Sequence, residues 1–278
     1  MESCESSNLN KKLITRIKNR EKLQKEKQIF SLINRKKITI RYKLRLKLNI
    51  NNDNTNEYFC GAEVRIGYYA RKLHFQPLLK LISNLENEEI GMMVLEYIVK
   101  SVIEDISSWG PNSKISIPVS VGMIRSVKFI SVINKLWQDS ISGKSRFEFL
   151  IDEYDIVHGG EDAFSSVLNL YNEGIHIVLD GYGKHYGSIV LGTNDAFVGI
   201  KIGVGTIFNR NILDIYKASE TIRFINNILL ERNGTLIVDD IETEEQLAFV
   251  RAQRVPIAQG PWISPILTSE QIRSFMNA

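Results

Sequence analysis

The chain has 278 residues, 44% of them hydrophobic and 24% charged, a balance that supports a buried core and excludes a disordered or collagen-like chain. Two cysteines, Cys4 and Cys60, exclude a disulfide framework. No apolar run reaches the roughly 20 residues of a membrane helix, and the polar start MESCESSNLN does not read as a signal peptide, so a cytoplasmic protein is expected.

The net charge of +3 conceals an asymmetry. Residues 11–47 hold 15 Lys/Arg against two Glu, residues 1–10 hold two Glu, and everything beyond residue 47 sums to −8. Residues 9–34 predict a basic helix with a ragged apolar stripe (Leu13, Ile14, Ile17, Leu23, Phe30, Ile33). Residues 1–36 are expected to form a basic arm. Two readings of it stand, a solvated helix packed on the domain or a partner, and an arm for nucleic acid or another acidic surface. The pattern lacks interleaved aromatics and a helix-turn-helix signature.

Residues 38–50 alternate apolar and basic side chains, which predicts a half-solvated strand. An Asn/Asp-rich turn over 49–56 and a second strand over 58–66 complete a hairpin. Strands and helices then alternate. Helices are predicted over 90–106, 123–138, 161–173, near 185–192 and over 211–231. Strands are predicted over 115–121, 147–151, 175–180, 197–202, 235–239 and 255–258. Two capping-box patterns, Thr243 to Gln246 and Thr268 to Gln271, open the last two helices. This alternation over about 240 residues predicts an α/β barrel, with an open doubly wound sheet as the alternative.

Ile177 to Asp180 is an apolar strand that ends on a carboxylate and turns through Gly181 and Gly183. In either fold that edge is where active sites lie. His74, His158, His176 and His185 are scattered, and no Cys/His spacing suggests a metal centre.

Taken in order, several motifs resemble the EAL domain family of cyclic-di-GMP phosphodiesterases over about residues 38–278. Cys60 to Arg65 resembles the signature Glu-Ala-Leu stretch, and Ile115 to Ser120 the strand that ends Asn-Leu-Ser. Phe149 to Glu153 resembles Leu-Glu-Ile-Thr-Glu, Asp180 to Gly183 resembles Asp-Asp-Phe-Gly, and Lys201 to Gly203 resembles Lys-Ile-Asp. Val238 to Leu247 resembles the Ala-Glu-Gly-Val-Glu-Thr segment, and Gln259-Gly260 the closing Gln-Gly.

The resemblance implies a modified TIM barrel over residues 37–278 whose first strand runs antiparallel to the rest. It also implies phosphodiester hydrolysis by metal-activated water, with two divalent ions on a cluster of acidic and amide oxygens. Against that pattern Glu63, Asp180, Lys201, Glu242 and Gln259 stand at family site positions. Pro118, Leu150, Gly181 and Gly203 replace oxygen ligands, and Asp239 replaces a glutamate. The expected protein is therefore not an enzyme and carries no metal or other cofactor. It is expected to act as a regulator by binding a protein partner, itself a transcription regulator or signalling component.

Two alternatives remain open, a non-hydrolysing cyclic-di-GMP receptor and a nucleic-acid-associated regulator. For the receptor, Tyr42-Lys43-Leu44 departs from the family's Tyr-Gln-Pro. Gly67 stands where a phosphate-gripping Arg is common, and Arg65 reaches a phosphate only if the register slips. Glu63, Asp180 and Lys201 read as a structural salt bridge or as a working site. His185 reads as exposed or as a replacement ligand, and Trp262 as a cap on the barrel mouth or a partner anchor.

Overall fold

The computed structural model describes residues 20, 23, 24, 26–35, 37–48, 58–70, 74–78, 88–109, 113–138, 146–208 and 214–276. Most of the predicted basic helix, the Asn/Asp-rich turn and the start of the predicted 211–231 helix lie outside them. Residues 26–34 are helical, and Ile29 and Leu32 are buried in the main core.

The strands are β1 (Thr39–Lys47), β2 (Tyr58–Ala70), β3 (His74–Pro77), β4 (Lys114–Pro118), β5 (Phe147–Asp152), β6 (Ile177–Asp180), β7 (Phe197–Gly203), β8 (Thr235–Asp239) and β9 (Ile257–Ala258). Eight of them close into a barrel in the order β1-β9-β8-β7-β6-β5-β4-β2, with β2 returning to β1 and β3 added outside on β2. β1 is antiparallel to both neighbours, and the other barrel pairs are parallel. The barrel is the fold the motifs implied, so the open-sheet alternative is set aside. The β3 hairpin was not foreseen.

The described helices are α1 (Glu88–Ile106), α2 (Val121–Ile124), α3 (Lys128–Gln138), α4 (Glu153–Asn172), α5 (Ile189–Gly192), α6 (Val204–Ile207), α7 (Asp214–Leu230), α8 (Glu244–Ala252) and α9 (Ser269–Met276). The predicted 123–138 helix is two pieces, because Ser120 caps α2 and the chain turns at 125–127. The strand before it stops at Pro118 rather than residue 121 for the same reason. The 161–173 helix starts eight residues earlier, at Glu153, and is kinked at Gly160, whose φ of 63° leaves the helical region. Both capping boxes form: Thr243 with Gln246, and Thr268 with Gln271.

The expectation of a half-solvated β1 needs correction. Its basic side chains point into the barrel, where Lys43 is 6% and Arg45 2% exposed. The apolar Tyr42 and Leu44 face outward into the core between barrel and helices. Tyr42 packs edge-on against Trp109 with ring centroids 4.9 Å apart, and its hydroxyl donates to Asp105 of α1. Alternation reports which faces differ, and here the polar face lies inside because opposing acids line the barrel. A small apolar cluster, Leu150, Val178 and Ile237, fills the barrel's centre.

Candidate functional site

At the carboxyl ends of the strands, three carboxylates converge on one lysine. Lys201 Nζ of β7 lies 2.7 Å from Glu63 Oε2 of β2, 2.9 Å from Asp180 Oδ2 of β6 and 3.5 Å from Asp239 Oδ2 of β8. Lys201 and Glu63 are almost wholly buried. A second ammonium, Lys43 of β1, hydrogen-bonds Asp239 and reaches Asp240 Oδ1 at 2.9 Å. Arg65 Nε lies 3.3 Å from the other oxygen of Glu63, without hydrogen-bond alignment. Glu63 and Arg65, two apart on one strand, share its inner face, so Arg65 reaches the mouth with no register slip. That corrects the earlier expectation.

The column continues below the mouth. Gln259 donates to Glu63 Oε2 at 2.7 Å and accepts from Arg45 Nε at 2.9 Å. Arg45 pairs with the buried Glu148 of β5, which also accepts from Ser116. Acid and base alternate from one barrel end to the other. Arg45, Glu148 and Ser116 were missed in the sequence. Their signal was the inward parity of β1, which becomes readable once the barrel sets which side is inside.

The surroundings set the protonation. Burial acts to raise the Glu63 carboxyl, but Lys201, Arg65 and Arg45 outweigh it and hold Glu63 well below the usual carboxylate range. Burial acts to lower Lys201, but Asp180, Glu63 and Asp239 outweigh it and raise its pKa. Asp180 differs: burial raises it, and repulsion from Glu63 and Asp239 adds to that effect against Lys201.

Asp180's raised folded pKa means its contribution favours the fold below the unfolded value of about 3.9 and is lost as pH rises through the folded value. Ionised Asp180 therefore costs stability at neutral pH. Asp180→Asn is expected to melt at a higher temperature than wild type at pH 7, with the gain vanishing below about pH 4. Thermal unfolding at both pH values checks this, and a less stable variant at pH 7 would contradict it.

The other predicted positions are placed as follows. Pro118 is buried at the end of β4 and Leu150 beside it inside β5, where Leu150 packs with Val178 and Ile237. Gly181 has φ 64°, and a Cβ there would stand 3.4 Å from Asp152 Oδ2. Gly203 precedes α6 and has room for a side chain. Glu242 is exposed ahead of α8, its amide donating to Gln246 Oε1, and it does not join the cluster. His185 is exposed, with its ring 5.1 Å from that of Tyr154. Trp262 is 51% exposed. Among the described residues no group of three or more His, Cys, Asp or Glu is arranged to hold a metal ion.

A further acid shapes the mouth. Glu153, 1% exposed at the start of α4, accepts backbone N–H groups of Gly183 at 3.0 Å, Gly187 at 3.1 Å and Ser188 at 2.6 Å. It thus ties down the loop after β6. Glu153→Ala is expected to cost about 2–4 kcal/mol by stranding these amides, and to speed hydrogen exchange at 183–188. Unchanged exchange would contradict that role. A cavity of about 950 Å³ opens above the cluster, lined by Arg65, Asp180, Lys184, Lys201 and Tyr154 among others.

A closed eight-stranded barrel with one antiparallel strand and an acidic cluster at the carboxyl edge defines an EAL-type barrel. The EAL domain family model matches residues 26–266, and the chain belongs to that family. It resembles an "Uncharacterized signaling protein" of Caulobacter vibrioides, 21% identical over 201 residues, which are 72% of this chain and 25% of the relative. The chain thus spans about a quarter of that relative's length.

Solved structures share the fold. The phosphodiesterase PaMucR, in complex with c-di-GMP, superposes with TM-score 0.71 at 14% identity, covering 88% of this chain and 99% of that one. The FimX EAL domain from Pseudomonas aeruginosa, bound to c-di-GMP, gives 0.70 at 12%, covering 87% and 96%. An EAL domain protein from Listeria monocytogenes gives 0.70 at 17%, covering 89% and 95%. No described helix is long and apolar enough to cross a membrane.

Proposed function

We propose that this chain is a non-hydrolysing EAL regulator of cyclic-di-GMP signalling that acts through a protein partner. One observation carries the first half. The carboxylates that would hold divalent ions are held by the protein's own cations, with Lys201 on Glu63, Asp180 and Asp239, and Lys43 on Asp239 and Asp240. The donor set does not fit a two-ion centre. Pro118, Leu150, Gly181 and Gly203 offer no side-chain oxygen, and Glu63, Asp180 and Asp239 would each have to exchange an ammonium for a metal.

The partner half rests on an exposed apolar ridge running from the loop after β6 into α5, where Tyr186 is 52%, Ile189 64% and Val190 70% exposed. Cross-linking with wild type and with Ile189→Asp/Val190→Asp tests it. A specific partner captured by wild type and lost in the variant is expected. Capture indifferent to the ridge would contradict that half.

A second reading, a cyclic-di-GMP receptor without turnover, is favoured by the mouth cavity and by Arg65 on its wall. Calorimetry with the dinucleotide separates the two, since the receptor requires heat of binding. The nucleic-acid reading is weakened, because Lys43 and Arg45, counted in the basic stretch, are consumed inside the barrel. Deleting residues 1–36 should leave any salt-sensitive DNA or RNA binding unchanged if the arm is not responsible.

A further inference from the structure

A second cavity, of about 930 Å³, lies at the opposite end of the barrel, at the amino ends of the parallel strands. Its inner wall is apolar, formed by Val178, Ile237 and Ile257. Gly199 lies on the same wall, where a Cβ would come within 2.8 Å of the Thr235 carbonyl oxygen. Three cations, Arg45, Lys47 and Lys114, line it against one acid, Glu148.

Arg45 is 2% exposed. Its Nε binds Gln259, its Nη1 binds Glu148, and its Nη2 has no hydrogen-bond partner among the described residues. A buried guanidinium N–H without an acceptor is costly, and such groups in folded proteins normally find one. The cavity therefore combines a surplus of positive charge and an aliphatic wall, with the unsatisfied Arg45 donor buried directly behind its lining.

We propose that this end of the barrel binds a small amphipathic carboxylate. The head pairs with Arg45 and the rim lysines Lys47 and Lys114, and the apolar body lies along Val178, Ile237 and Ile257. Three cations against one acid leave a net charge of +2 on the described lining, which an added carboxylate head partly offsets. The site is separate from the mouth, across the Leu150–Val178–Ile237 cluster.

Cys60, half-buried on the same cavity wall, is a built-in reporter, although burial pushes its thiol up to about 11. In a Cys4→Ser background at about pH 9, its alkylation is slow but measurable. Decanoate below its micelle threshold is the probe, and decanol is the uncharged control. Decanoate is expected to bind at least about tenfold more tightly than decanol and to protect Cys60. Lys47→Gln/Lys114→Gln is expected to remove most of that preference and to leave decanol binding unchanged. Arg45→Met tests the head contact directly, and the rim variant serves if it does not fold. Equal binding of acid and alcohol, an unprotected Cys60, or a rim variant with full preference would each overturn the proposal.

Discussion

Replacing Lys201 with methionine is expected to remove about 3–5 kcal/mol of stability, the usual cost of leaving buried charges without their partner. The Nζ lies within 3.5 Å of carboxylates on β2, β6 and β8, so its loss leaves Asp180 without an ammonium among the described residues and takes one cation away from Glu63 and from Asp239. For a domain of this size that corresponds to a fall of roughly 6–20 °C in Tm. Methionine keeps the stem's packing, so the loss reports charge rather than volume.

The pH dependence follows from the same pairs. Glu63, with its depressed pKa, contributes stability present above about pH 4.3 and lost as pH falls through its folded value. Lys201, with its raised pKa, contributes stability present below about pH 10.4 and lost as pH rises through its folded value. Apart from the decline Asp180 adds as pH rises through its own folded value, wild type should therefore hold a plateau between about pH 5 and 10, and Lys201→Met should lose it. Denaturant titration across that range checks both, and a variant within about 1 kcal/mol of wild type would show the cluster to be ornamental.

Leu150→Glu, which returns a carboxylate to β5, is expected to be nearly as damaging, at about 3–5 kcal/mol. The new charge enters the apolar cluster of Val178 and Ile237, with both nearby lysines already paired. Adding Mn²⁺ is expected to leave the melting temperature of this variant unrestored, because its neighbours at Pro118 and Gly203 offer no oxygen. Gly181→Asp fails for a different reason. Its left-handed backbone tolerates Asp only at a cost, and its Cβ faces Asp152, another acid, rather than an ion. A metal-dependent rise in Tm for either single variant would show that the mouth is closer to a metal centre than its ion pairs imply.

The barrel was legible because strand–helix alternation and the order of the motifs survive even where single residues do not. Lys201, Glu63, Asp180, Asp239 and Gln259 come together because each sits on an inward position near the strands' carboxyl ends. What was not legible was the sense of β1. Alternation alone does not say which face is wet, and Lys43 and Arg45 read as solvent-facing until closure turned them inward. That inversion hid the pairing of Lys43 with Asp239, since the lysine comes from a strand 196 residues away in sequence. Glu153 was hidden likewise, because its three amide partners lie on a loop at least 30 residues downstream. Glu242 shows the opposite error, a motif position that the chain places in solvent, outside the cluster.

The most direct measurement is incubation of the purified chain with cyclic-di-GMP and Mg²⁺ or Mn²⁺, followed by separation of linear and cyclic dinucleotide. With Lys201 and Lys43 on the carboxylates, no linear product above the metal-free control is expected at any pH across the stability plateau. Metal-dependent, multiple-turnover formation of linear dinucleotide would contradict the account.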